Sequence, residues 1–226
     1  PLGLNSSFPQ KPFIEQGYNC FLNGVPSYNG VAILSKVPVK NFQIHDYCKK
    51  NDGRHIEINI SGLKIHSIYV PAGGDIADPL ANEKFDHKLK FLSELNKWVS
   101  KNDSNRKEIL LGDLNIAPLP EDVWSHKELM NVVSHTPIEV KALNDIKISG
   151  NYIDAVRHFY PTPEKLFSWW SYRSKDWELS NRGRRLDHIW TSPILINKVQ
   201  NIEILKKVRS WEKPSDHVPI IIDLNI

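Results

Sequence analysis

A run of four uncharged residues, Ile109-Leu110-Leu111-Gly112, breaks off at Asp113-Leu114-Asn115. Such a run reads as a buried strand, and a buried strand needs structure packed over it. Side chains alternate along an extended chain, so Asp113 and Asn115 should project the same way from its end. An acid and an amide placed there look like a site, but short polar side chains also cap turns, and both readings stand. Two further segments, Arg185-Leu186-Asp187-His188 and Ser215-Asp216-His217-Val218-Pro219, lie far downstream beside β-rich runs. Together the three supply the carboxylates, amide and imidazole that hold a hard divalent cation and steer a water at a phosphodiester. A single Asp-His pair taken alone reads as a hydrogen-bonded turn.

With 226 residues and 40% hydrophobic content, the chain reads as one domain, 1–226, around one large core. A net charge of only +3 leaves no basic tail, so any nucleic-acid contact must come from local clustering. Cys20 and Cys48 are too few for a disulfide framework and form no C-x-x-C pair, which reads as a reduced, cytoplasmic protein with packing thiols. No run of eighteen apolar residues suggests a membrane span, and no basic-then-apolar stretch reads as an export leader. Pro1-Leu2-Gly3 has the look of a protease-site remnant.

Short apolar runs at 18–22 and 30–35, bounded by Asn, Gly, Pro and Ser, read as strands. Between them Asn29-Gly30 favours a turn that lifts Tyr28 to the surface, to stack on a nucleotide or to cover the loop. Segments 54–60 and 63–70 alternate, with Ile56, Ile58 and Ile60 on one face and Ser61-Gly62 as the hairpin turn. Tyr69 then stands where a strand opens into a glycine loop, placing its phenol to donate to a phosphate. Asp78-Pro79 reads as the start of a helix that runs to 101–103, and Thr136-Pro137-Ile138-Glu139 as a capping box whose helix stops at Ser149-Gly150. The segment from Phe167 to Arg185 interleaves Trp169, Trp170, Tyr172, Trp177, Arg173, Arg182 and Arg184. That mixture suits a nucleic-acid surface, although alternate aromatics such as Phe167 and Trp169 equally read as core strand. Strands resume at 186–191, 199–205 and 218–224.

The sequence resembles the exonuclease III family of apurinic/apyrimidinic endonucleases, within the endonuclease/exonuclease/phosphatase superfamily. The matching blocks run in family order: 28–35, Gly53-Arg54, Tyr69-Val70-Pro71, Gly112-Asp113-Leu114-Asn115-Ile116-Ala117-Pro118, 167–173, 181–187 and 212–217. Related phosphatases and sphingomyelinases share the Gly-Asp-x-Asn and Ser-Asp-His blocks, but the tryptophan strand and the 209–214 run point to the DNA-repair branch. The resemblance implies an α/β fold, a four-layer αββα sandwich of two mixed β-sheets packed face to face with helices outside. It implies cleavage of duplex DNA 5′ to abasic sites, with action at 3′ ends, by a monomer using Mg²⁺ or Mn²⁺. Tyr69, Asp113, Asn115, Asp187 and His217 then fall in catalytic positions, with Asp113 orienting or deprotonating the attacking water. Asp113, Asn115, Asp216 and His217 fall around the metal, and Tyr28, Arg54, Trp169, Arg173, Arg184, Arg185 and Leu186 along the DNA. Family members begin with two strands, the second ending in a glutamate that binds the metal; the resemblance therefore implies an N-terminally truncated domain. Ala72 and Arg184 also depart from the family pattern. A non-catalytic DNA-binding remnant and a superfamily phosphatase or sphingomyelinase are the alternative readings.

Overall fold

The apolar run at 109–112 occupies the middle of a six-stranded mixed sheet. The computed structural model describes residues 4–26, 29–103, 105–174 and 176–226. Its strands are β1 (Asn19–Gly24), β2 (Gly30–Ser35), β3 (Asn41–Ile44), β4 (His55–Ile60), β5 (Leu63–Ile68), β6 (Lys107–Asp113), β7 (Ile153–Asp154), β8 (Trp169–Trp170), β9 (Gly183–Arg184), β10 (Asp187–Thr191), β11 (Val199–Ile204) and β12 (Ile220–Leu224). Its helices are α1 (Gln10–Glu15), α2 (Glu83–Val99), α3 (His126–Leu129), α4 (Pro137–Ser149), α5 (Ala155–Phe159), α6 (Trp177–Ser180) and α7 (Pro193–Ile196). The sheet order is β3-β4-β5-β6-β10-β7, with β5 and β6 parallel and the other pairs antiparallel.

Both faces of β6 are covered, which is why its sequence is apolar throughout instead of alternating. On one side Leu110 packs with Phe91, Leu92 and Leu95 of α2, Leu143 and Ile146 of α4, and Trp190. On the other, Ile109 meets Leu63, Ile189, Ile202 of β11 and Ile222 of β12. Each fully buried side chain of this size contributes about 1.5–3 kcal/mol. The architecture is a four-layer αββα sandwich, with α2 and α4 on one face of the six-stranded sheet and α1 against β1 beyond it. The second layer is not one continuous sheet, as the resemblance implied, but strand pairs β1–β2, β11–β12 and β8–β9. Trp170 N donates to Asp216 O and Val218 N to Ser168 O, so the chain entering β12 is stitched to β8. No helix among the described residues is long and apolar enough to cross a membrane.

The β4–β5 hairpin turns at Ser61 and Gly62, both left-handed, as the sequence suggests. The Thr136 capping box also forms, and α4 ends against Gly150. The start of α2 differs from expectation. Asp78 closes a separate turn, its Oδ1 accepting from Leu80 N, and Asn82 caps the helix by accepting from Lys84 N. Asn82 also donates to the carbonyls of Gly73 and Ile76, so the cap that starts the helix pins the glycine loop.

Arg185, expected on DNA, is fully buried. Its Nε and one terminal nitrogen reach the two oxygens of Asp122 at 2.7 and 3.0 Å, and it lies 2.9 Å from Asp154. A guanidinium that has spent its planar fork on two buried carboxylates has no donors to offer a phosphate. Leu186 is likewise core, packed with Ala117, Val123 and Leu129 beneath Trp169. Tyr28 lies outside the described residues. Replacing Arg185 by Met should take the buried guanidinium from Asp154 and leave Asp122 with Arg157 alone, and cost about 3–5 kcal/mol, measured as a shift in the urea midpoint. A change below about 1 kcal/mol would show that the pair is solvated.

Candidate active site

The ends of β6 and β10 lie side by side, with Asp113 directly opposite Asp187 in register. Gly112 makes this possible: its φ is +135°, and a Cβ there would stand 2.0 Å from the carbonyl oxygen of Ile68. Past the strand, Asn115 takes a left-handed conformation at φ +53°, one that asparagine tolerates. The two side chains therefore do not meet by strand alternation. They meet because the chain folds back, and Asn115 N and Nδ2 each donate to an Asp113 carboxylate oxygen at 2.9 Å. Nδ2 also donates to Val70 O at 2.9 Å. The turn-capping and site readings of the sequence thus describe one geometry.

His217 arrives on the chain stitched to β8. Its Nδ1 is 2.8 Å from Asp187 Oδ2, and its Nε2 is 3.9 Å from Asp113 Oδ2. Ser168, fully buried, donates to the same Asp187 oxygen at 2.6 Å while its hydroxyl accepts from the backbone N–H of Leu186 and Asp187. Next to His217, Asp216 accepts from the Trp169 indole at 3.0 Å. Asp113, Asp187, Asp216, His217 and Tyr69 line a cleft of about 440 Å³.

Burial, then the like charge of Asp187, raises the Asp113 carboxyl to about 7. Burial opposes a charge on His217, but the hydrogen bond it donates to Asp187 and the fields of Asp187, Asp113 and Asp216 outweigh it and lift the imidazole to about 9. At neutral pH the site thus holds a partly deprotonated acid facing a protonated imidazole.

Arg54 is nearly buried. It pairs with Asp52, donates to Tyr69 O at 3.2 Å and lies 4.8 Å over the Tyr69 ring. It therefore backs Tyr69 as well as lining the adjoining cleft with Lys84 and His87. A second adjoining cleft, about 790 Å³, is walled by Trp124, Trp169, Arg173, Arg182 and Arg184. Arg182 lies over the Trp124 ring at 4.5 Å and Arg184 over Trp169 at 5.5 Å. Trp169 is common to this cleft and, through Asp216, to the acidic site.

Three supporting residues escape a reading of the sequence. Ser168 sits within the Phe-Ser-Trp-Trp block, and nothing in that block announces its tie to Asp187. Lys88, a basic residue on a helix, is wholly buried: it donates to the carbonyls of Ala72 and Asn115 and meets Glu139 at 2.5 Å. Burial pulls its ammonium below the usual range, against the opposing charge of Glu139. Glu139 was legible only as a cap, yet it also binds Ser134 N, so one carboxylate serves a helix start, a loop and the lysine under Asn115.

Residues 2–217 match the model of the Endonuclease/Exonuclease/phosphatase family. The chain is similar to exodeoxyribonuclease III of Haemophilus influenzae, with 29% identity across 96% of this chain and 84% of that protein. Among solved structures, an AP endonuclease from Archaeoglobus fulgidus matches with a TM-score of 0.90 at 30% identity, covering 98% of this chain and 85% of that one. A 3′–5′ exonuclease from Neisseria meningitidis matches with the same TM-score, 0.90, at 24% identity, covering 100% of this chain and 86% of that one, which bears on the fold alone.

Substituting Asp187 by Asn keeps a carbonyl acceptor but removes the negative charge that favours a charged His217 and repels the Asp113 carboxylate. In metal-free protein the His217 titration followed by NMR should fall from about 9 by about one unit or more. An unchanged midpoint would mean that Asp187 does not set the charge on His217.

Proposed function

The chain belongs to the endonuclease/exonuclease/phosphatase family, and on that premise we propose that it is a DNA phosphodiester hydrolase. Its reaction is that of an exodeoxyribonuclease III or AP endonuclease: cleavage 5′ to abasic sites in duplex DNA, with 3′→5′ exonuclease action as a second use of the same site. The observation that carries the reading is the opposition of Asp113 and His217 across one cleft, with the aromatic and cationic cleft joined to it through the Trp169–Asp216 hydrogen bond.

The donor set fits a hard divalent cation. Asp216 uses Oδ2 for Trp169, and Asn115 uses Nδ2 for Asp113 and Val70, while Asp216 Oδ1 and Asn115 Oδ1 make no hydrogen bond among the described residues. Those oxygens would hold Mg²⁺, with Mn²⁺ as a substitute. When bound, such an ion supplies positive charge to the phosphoryl oxygens. His217 is set to donate, since its hydrogen bond to Asp187 and the surrounding carboxylates, which raise its imidazole to about 9, favour the protonated ring at neutral pH.

Asp113, with its carboxyl near 7, takes a proton from the attacking water. His217 Nε2–H donates to the phosphoryl oxygen as negative charge builds there, and Asp187 and Ser168 hold the ring in that orientation. Tyr69, backed by Arg54, lines the same cleft and hydrogen-bonds the phosphate or the departing oxygen. Arg173 and Arg184 engage the DNA backbone beside Trp169, which stacks on an exposed base or sugar face.

The test is cleavage of a duplex carrying one abasic site under saturating Mg²⁺. Asp113→Asn should lower kcat by roughly 10²–10⁴-fold and His217→Ala by roughly 10²–10³-fold, with DNA affinity within a few-fold of wild type. Wild-type rates in both variants would refute these roles. In the binding assay, Arg173→Ala should flatten the slope of log affinity against log salt by about one. An unchanged slope would place the DNA elsewhere.

A further inference from the structure

A second cluster of metal-binding side chains lies under α2, away from the carboxylate cleft. In β4 the isoleucines at 56 and 58 point to one face, which leaves His55 and Glu57 on the other. His66 of β5 stands opposite Glu57, and His45, just past β3, reaches His55 through its backbone N–H. A helix–sheet interface normally buries apolar side chains, yet here it buries two imidazoles and a carboxylate, with His55 and His66 wholly out of solvent and His45 half-buried beside them. Trp98 sets its ring against all three imidazoles at 5.0–5.1 Å.

We propose that His45, His55, His66 and Glu57 form a transition-metal site, suited to Zn²⁺, that clamps the end of β3 to β4 and β5. One nitrogen from each histidine lies within 4.8 Å of the other two. His55 Nε2 is 3.0 Å from His66 Nδ1, His45 Nε2 is 3.0 Å from Glu57 Oε2, and that oxygen is 3.8 Å from His66 Nδ1. A tetrahedral ion with bonds of ~2.0–2.1 Å needs donor separations of roughly 3.3 Å, and these distances bracket that edge. Three imidazoles with one carboxylate suit Zn²⁺, whereas Mg²⁺ and Ca²⁺ require an all-oxygen set.

The far nitrogens of two rings are also arranged as a metal site arranges them. His55 Nδ1 faces the Tyr47 hydroxyl at 2.9 Å, and His66 Nε2 faces Glu108 Oε2 at 3.5 Å. Outer oxygens at these positions fix the tautomer that leaves the inner nitrogen bare for the ion. The competing arrangement is a metal-free chain of hydrogen bonds from Tyr47 through His55 and His66 to Glu108. Its last link is poor, since His66 Nε2 is buried 3.5 Å from Glu108 Oε2 without making a hydrogen bond there, and it leaves the His45–Glu57 hydrogen bond, 3.0 Å long, standing apart from it. His45 is partly exposed, which opens a path for the ion. The clamp would act next to the active cleft: Arg54 precedes His55, and its carbonyl accepts from Tyr69 N at 2.8 Å.

The experiment uses the whole chain, stripped with chelator and returned to buffer with excess Mg²⁺ to occupy the oxygen-rich site, then titrated with Co²⁺ and Zn²⁺. One Co²⁺ per chain should bind with the visible absorption of a tetrahedral site, and Zn²⁺ should displace it. Tyr47→Phe should weaken binding roughly 10–100-fold, and His45→Ala more than that, while the Asp113→Asn/His217→Ala double variant should keep the full signal. Circular dichroism checks that each variant is folded, and the wild-type titration decides the matter should one fail. No tetrahedral Co²⁺ band in wild type, equal affinity in His45→Ala, or loss of the band in the Asp113→Asn/His217→Ala variant would each overturn the site.

Discussion

The hydrogen bond between Asp187 and His217, 2.8 Å long, ties the last part of the chain to the central sheet. Asp187 belongs to β10, and His217 lies on the segment between β11 and β12, where it bridges to Trp169 of β8. Ser168 completes the joint by donating to Asp187 and gathering two backbone N–H groups. Two consequences come from one contact. It holds the His217 ring facing Asp113, and it divides the charges, since the anion that charges His217 also discourages the charge on Asp113. A site that needs a base and a charged donor within a few ångströms of each other obtains both from the placement of Asp187.

Around that joint the loops are held by buried charge. Lys88, paired with Glu139, fixes the backbone at Ala72 and Asn115. Arg185 fixes the 120–122 segment to the neighbourhood of β7 and β10 through Asp122 and Asp154. Apolar residues could fill the same volumes, but they cannot hold a carbonyl at a set position, and the positions of loops at strand ends are what an active site of this architecture requires.

Local chemistry was well legible in the sequence. The 109–112 strand, the Ser61-Gly62 turn and the Thr136 capping box each depend on residues within a few positions of one another, and each formed as read. Partner choice across the chain was not legible. Arg185 carries the same chemistry as Arg173, and only the fold reveals that one faces buried carboxylates and the other a cleft. The start of α2 was misplaced because Asp78-Pro79 is a good local signal, while the cap that formed, Asn82, is favoured by its bonds to the distant glycine loop. Pattern reading of β4 followed its isoleucines and passed over His55 and Glu57, since alternate polar residues in a hairpin ordinarily face water.

The central claim is that Asp187 acts through His217, and a double-mutant cycle on kcat/KM for abasic-site cleavage tests it most directly. Asp187→Asn should slow the wild-type chain, yet change the rate by no more than about threefold once His217 is already Ala, because the group it positions and charges is gone. Losses that multiply in full in the doubly substituted chain would show that the two residues act independently and would contradict the account.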